Sequence, residues 1–208
     1  MKNYLFILIF ISIFPIGCVT GRENYIKPSL DININNEVIV NKSKEQVWSN
    51  IIPKLGKKYF VINNLEKASG LINISYAGDP EKYVDCGILE YAVRNTGGEK
   101  TYKFAAAISN MEYEQLKDGN LYYINRKMDL KGRMNLVFEE IEVNKTRVSA
   151  NTKYILTETL NVQAYNRQVF APSIETIGFN TGHSGEFTGG IFCKPNGKFE
   201  EDVLSLIK

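Results

Sequence analysis

Apolar and polar residues alternate along much of this chain, and two stretches show helical spacing instead. Glu37–Val40 is a short first strand. Behind it Val47, Trp48, Ile51, Ile52 and Leu55 recur at i, i+1, i+4, i+5 and i+8, one apolar stripe of a helix. Ser43-Lys44-Glu45-Gln46 forms a capping box, with Ser43 as N-cap and Gln46 at N3, and Gly56 suits the C-terminal cap. Pro53 removes one backbone bond, so a kink or a tightened last turn is expected. The second helix closes the chain: Phe199, Val203, Leu206 and Ile207 share one face. Asn196 is placed to cap it, and Glu200, Glu201 and Asp202 in its first turn and Lys208 at its end complement the helix dipole.

Between the helices the period is two. Tyr59–Asn63 and Leu71–Ala77 read as strands, the latter with Ile72, Ile74 and Tyr76 alternating with Asn73 and Ser75. Asp79-Pro80 turns the chain. Ile88–Arg94 and Thr101–Ile108 flank the turn signal Asn95-Thr96-Gly97-Gly98, and Met111–Lys117 and Asn120–Met128 flank Asp118-Gly119. Arg133–Val143 and Arg147–Thr157 form a further hairpin around Asn144-Lys145. In its first arm Met134, Leu136 and Phe138 hold one phase, Ile141 and Val143 the other. A one-residue slip reverses the buried face, so a β-bulge is predicted at Glu139–Glu140. Leu160–Asn180 is less regular, and Pro172 disfavours a central strand there. Glu186–Cys193 returns as a strand after a Gly-rich turn. Strand, helix, a run of antiparallel strands and a closing helix predict an α+β fold. It would be a single antiparallel sheet, with one helix after the first strand and the C-terminal helix packed on the sheet.

The chain opens differently. Lys2 is followed by an almost purely apolar run, Tyr4–Ile16, broken by Ser12 and Pro15. A spanning helix needs about 20 apolar residues, and a run of about 10–14 suits a secretory leader. Residues 1–17 are therefore read as a signal peptide. Pro15-Ile16-Gly17-Cys18 resembles a bacterial lipobox, which implies that Cys18 is acylated and begins the mature protein; the alternative is an ordinary signal peptide cleaved nearby. Several acyl chains hold a protein to a bilayer far more firmly than one. Val19 in place of Asp after the cysteine implies, by the same resemblance, sorting to the outer membrane, facing the periplasm. Val19–Asn36, with Gly21, Pro28 and scattered Asn, reads as a flexible tether, so residues 18–36 are the anchor and spacer and 37–208 the domain.

Composition narrows the partners. Without Lys2 the basic residues exceed the acidic ones by one, too little to attract nucleic acid or an anionic surface through net charge. Cys86 and Cys193 are left when Cys18 is lipidated. An oxidising compartment favours pairing them; two buried free thiols are the alternative.

Candidate chemistry is sparse. His183, the single histidine, lies in the turn-like Thr181-Gly182-His183-Ser184-Gly185 with no nucleophile motif near it in sequence. Glu139-Glu140 are neighbours on a strand and point to opposite faces, and Glu200-Glu201 fit helix capping. No cysteine or histidine spacing suits a metal, no cofactor motif is present, and Gly182–Gly190 lacks the Lys and Ser or Thr of a phosphate loop. Trp48 belongs to the core. Tyr102, Tyr113, Tyr122 and Tyr123 are ordinary strand packing or the walls of an apolar groove, which Phe199 and Val203 of the last helix would complete.

Ser43-Lys44-Glu45-Gln46-Val47-Trp48 through Leu55-Gly56, Gly70-Leu71-Ile72-Asn73-Ile74, and Phe192-Cys193-Lys194-Pro195-Asn196-Gly197-Lys198-Phe199-Glu200 carry a resemblance to helix-grip, START-like domains. They are similar in particular to those of the C subunit of the outer-membrane β-barrel assembly machinery and related small lipoproteins. That subunit has two such domains, and this chain has room for one. The resemblance implies a non-enzymatic envelope lipoprotein, held to the membrane through Cys18, that binds or scaffolds envelope protein partners. The second expectation is a carrier or sensor holding an apolar ligand between the sheet and the last helix.

Overall fold

The longest uninterrupted alternation in the chain forms the middle of the molecule. The computed structural model describes residues 19–29, 31, 33–58, 60–95 and 97–207. In chain order its elements are β1 (Thr20–Ile26), β2 (Glu37–Val40), α1 (Lys44–Gly56), β3 (Val61–Glu66), β4 (Leu71–Gly78), β5 (Val84–Asp85), β6 (Ile88–Asn95), β7 (Gly98–Ala105), β8 (Asn110–Lys117), β9 (Asn120–Glu142), β10 (Lys145–Ala164), β11 (Ser173–Asn180), β12 (Gly185–Glu186), β13 (Phe192–Pro195) and α2 (Lys198–Leu204). The expected leader and Cys18 lie outside the described residues.

β9 and β10 are a single long hairpin, in register from Tyr122 opposite Ala164 to Glu140 opposite Thr146. Met128, Leu130, Gly132 and Met134 keep one phase, so the strand runs straight through Asp129–Gly132, where two separate strands were expected. Even-numbered residues are buried from Ile124 to Phe138 on β9 and from Thr146 to Glu158 on β10. The predicted bulge exists, shifted one residue along. Lys145 faces Glu142 and Thr146 faces Glu140, which leaves Ile141 as the extra residue.

Each long strand is bordered by two shorter ones laid end to end. β8 then β4 line β9, and β11 and β2 line β10, with β3 outside β4. This makes a seven-stranded antiparallel sheet. β1-β6-β7 and β12-β13-β5 are two further sheets of three strands each.

The expected α+β architecture with one sheet is therefore overturned: the protein is mostly β, with three sheets and two short helices. Two segments account for the difference. Thr20–Ile26, read as part of a tether, pairs with β6 over seven residues. It is a nearly all-exposed edge strand, so main-chain hydrogen bonds hold it and hydrophobic patterning gives no sign of it. Its Tyr25 hydroxyl accepts from Phe192 N at 2.9 Å and lies 3.0 Å from the Cys86 carbonyl. The folded body thus reaches back past the boundary expected at Glu37. The strand expected over Glu186–Cys193 is two short pieces, separated by a turn closed by Phe187 N on the Ile191 carbonyl. Pro172 stands immediately before β11, outside the ladder.

Both helices pack on the buried face of the large sheet. α1 has its capping box in place, Ser43 Oγ accepting from Gln46 N and Gln46 Oε1 from Ser43 N. It sets Trp48 edge-on to Phe138 at 5.3 Å. α2 starts from Gly197, with Asn196 Oδ1 accepting from Lys198 N at 3.0 Å as an Asx turn. Phe199 stacks on Tyr83 at 4.7 Å and lies over Gly132, where a Cβ would meet Phe199 Cε1 at 2.7 Å. Glu200 is fully buried, and its carboxylate accepts from Tyr154 Oη and Thr181 Oγ1, each at 2.8 Å. Burial, and then the Glu200 charge, raises the Tyr154 phenol well above its ordinary range, so it stays a donor. Lys54 Nζ donates to the Leu206 carbonyl at 2.6 Å and ties the two helices together.

Cys86 and Cys193 form a disulfide, one rung beyond the Asp85–Lys194 pair of β5 and β13, with Cα atoms 4.1 Å apart. It spans 107 residues of sequence. By loop-closure entropy such a bridge contributes about 4–5 kcal/mol.

Two outcomes follow from this packing. Gly132→Ala should cost about 1–3 kcal/mol in urea unfolding, because Phe199 must move, and Phe199→Ala about 3–5 kcal/mol. The double substitution should cost less than the sum, since the clash disappears; strict additivity would show that Gly132 does not seat Phe199. Thiol labelling of the unreduced protein should find Cys86 and Cys193 blocked, and reduction should lower the thermal midpoint. Free thiols in freshly isolated protein would remove the bridge.

Candidate functional site

Where β8, β9 and β10 run side by side, three successive rungs line one open cleft of about 710 Å³. They are Glu112–Asn125–Asn161, Tyr113–Ile124–Val162 and Glu114–Tyr123–Gln163. Side chains alternate faces along a strand, so the outer two rungs share a face and present amides, carboxylates and the Tyr123 ring together. Tyr113 and Ile124 in the middle rung are buried. Tyr102 of β7 closes the β8 side. Val169, Phe170 and Pro172, from the connection between β10 and β11, form the other wall. That wall is pinned: Phe170 N donates to the Val162 carbonyl at 3.0 Å, and Val169 bridges Gln163.

The polar groups are not all satisfied. Lys100 is bonded to the buried Glu114 carboxylate, and that bond raises the lysine above its usual range. Burial and the Glu114 charge raise the Tyr102 phenol. Asn125 Nδ2 donates to Glu112 Oε1 at 2.9 Å, which fixes the amide. Its Oδ1 is then buried without a protein donor. Glu112, exposed at the cleft, offers carboxylate oxygen to a ligand's donors. The site therefore suits a group bearing hydroxyls or amines alongside an apolar surface for Tyr123 and Phe170.

Beneath this floor lies a buried ion pair. Arg126 is 1% exposed and its Nε donates to Glu158 Oε1 at 2.6 Å, while both Nη atoms lack partners. The pair is buried beside Tyr113, which stacks on Tyr91 at 4.4 Å and joins the large sheet to β6. Burial raises the Tyr113 phenol, and the Tyr91 hydroxyl and the Arg126 charge oppose that rise.

Of the four residues expected to line a groove, Tyr102 and Tyr113 border this cleft. Phe199 and Val203 do not; both are completely buried on the inner face of α2, far along the hairpin. The groove expected between sheet and last helix is filled by Phe199, Tyr83 and Tyr154. Tyr122 packs against Phe170 at 6.1 Å. His183 is exposed, with Nδ1 3.2 Å from the Thr181 carbonyl. Glu139 and Glu140 are both exposed, and Glu139 lies 3.8 Å from Arg147. Among the described residues no group of three or more His, Cys, Asp or Glu is placed to hold a metal, and no helix is long and apolar enough to cross a membrane. Asn125, Asn161, Gln163 and Glu112 were not foreseen as site residues; only the strand register brings them together.

Arg126→Met leaves Glu158 buried and uncompensated, and should destabilise the fold by about 3–5 kcal/mol. Arg126→Met with Glu158→Leu should recover most of that loss in equilibrium unfolding. A double variant as unstable as the single would assign the loss to the arginine stem instead of to charge.

Comparison of the chain with family models, curated proteins and solved structures gave no match.

Proposed function

We propose that this protein is a lipid-anchored component of a bacterial envelope, held at the outer membrane and facing the periplasm, that acts by binding another envelope component and not by catalysis. The cleft between Tyr102 and Phe170 carries this reading. It has the size of a ligand pocket, an aromatic wall on each side and polar side chains, Glu112, Asn125, Asn161 and Gln163, along its floor. The compartment is supported by the leader-like run before Cys18 and by the Cys86–Cys193 bridge, which suits an oxidising environment. Acylation of Cys18 would keep the cleft near the bilayer at all times. The bound component then carries hydroxyl or amine donors and an apolar face.

A photo-activated side chain at Tyr123 tests both halves in cells. In the wild type the protein should fractionate with membranes and yield a discrete cross-linked species. Adding Cys18→Ser should release most of it to the soluble fraction and abolish the adduct. Unchanged membrane fractionation after Cys18→Ser would remove the anchor. A Tyr123 probe that forms no adduct, with the protein membrane-bound, would remove the binding site.

A further inference from the structure

Four chain segments converge on the end of the molecule where Val19 enters. Val19, the turn between β6 and β7 at Asn95 and Gly97, the turn between β8 and β9 at Gly119, and Tyr165 border one shared hollow. The Ala164–Phe170 turn at this end is rigidly built. Ala164 N donates to Gln168 O at 2.8 Å, Arg167 N to Ala164 O at 2.9 Å, and Tyr165 N to Leu121 O at 3.0 Å. Despite this order it holds its apolar residues out in solvent. Tyr165 is 71% exposed and Val169 72%, and Phe170 and Val19 are also exposed. Arg167, in the left-handed conformation, stands between them at the tip.

Exposed apolar side chains on a fixed turn mark a surface that is covered in use. Tyrosine and arginine with neighbouring aliphatics suit the headgroup layer, where an amphipathic ring has one end apolar and the other wet. The occupant follows from the covalent chain. The Cα of Cys18 can be only about 3.8 Å from that of Val19, and β1 begins at Thr20. No spacer therefore separates the acylation site from this end of the fold.

We infer that the Val19 end lies against the lipid surface, with the Tyr165–Phe170 turn inserted among the headgroups. This rests on the anchor proposed above. The orientation places the opposite end of the hairpin far from the bilayer: β9 runs 23 residues from this hollow to Glu142, a contour of roughly 70 Å at the usual rise of a strand.

The full chain, purified with its acyl groups and reconstituted into phosphatidylethanolamine–phosphatidylglycerol vesicles, gives the test. A fluorophore is placed through Arg167→Cys, through Gln168→Cys as a second turn position, or through Asn144→Cys at the far end. The native cysteines offer no thiol, being acylated or bridged. Flotation reports attachment, and a headgroup-borne nitroxide lipid reports depth. The expected result is severalfold stronger quenching at both turn positions than at position 144. Flotation with equal quenching at all three positions would overturn the orientation and leave the anchor standing. Failure to float would overturn the anchor, and the orientation with it.

Discussion

Everything in this molecule is arranged around one continuous phase of buried side chains on two paired strands. From Ile124 to Phe138 on β9, and from Thr146 to Glu158 on β10, every second residue is buried. The pairing holds one register throughout that span. A shift by one position would expose the whole set and bury Lys127, Asp129, Lys131 and Arg133 in its place, a cost no other contact in the protein could offset. The register is thus specified along its whole length. Smaller elements then only need to cover what the hairpin leaves open. At one end α1, α2 and β4 do this; at the other, β6 and β7 bring Tyr91 and Phe104 onto Tyr113.

The same face carries polar groups, and each is handled locally. Glu200 is buried at the first turn of α2, but two hydroxyls donate to it. Thr146 Oγ1 donates to the Lys42 carbonyl at 2.8 Å. Two exceptions are not fully satisfied: Thr152 Oγ1 has no partner, and Glu158 satisfies one nitrogen of Arg126 while the remaining two have no protein acceptor. A buried, half-satisfied guanidinium directly behind the cleft floor costs stability that apolar residues would not.

How far the sequence revealed this depends on which force holds each element. α1, the Asp118-Gly119 hairpin and the bulge near Glu140 were legible, because periodicity, a capping box and turn chemistry are local signals. The disulfide was legible as well, from the cysteine count and the expectation of an oxidising compartment. β1 was not. Thr20–Ile26 has no apolar stripe, and its pairing with β6 exists only once β6 is in place. The continuity of β9 was also missed: Gly132 lies in the gap left between two expected strands, and its role is to make room for Phe199. That contact is 67 positions distant in sequence, beyond any local reading. The α+β expectation failed for these reasons: it counted the helices correctly and undercounted the strands that attach through main-chain bonds alone. The cleft was half legible. Tyr102 and Tyr113 were candidates as aromatics, but Asn125, Asn161 and Gln163 become neighbours only through register.

The connection from β10 to β11 links the cleft to the chain's entry point. Val169 and Phe170 wall the cleft, and Tyr165, four residues earlier, borders the hollow shared with Val19. A stretch this short, closed by its own backbone bonds and pinned to β10, holds one arrangement. On the proposed orientation, that fixed arrangement would hold the Val169–Phe170 wall, and with it one side of the cleft, close to the headgroups. The chemistry of the floor, donors and acceptors set beside aromatic rings, fits a molecule with both kinds of surface.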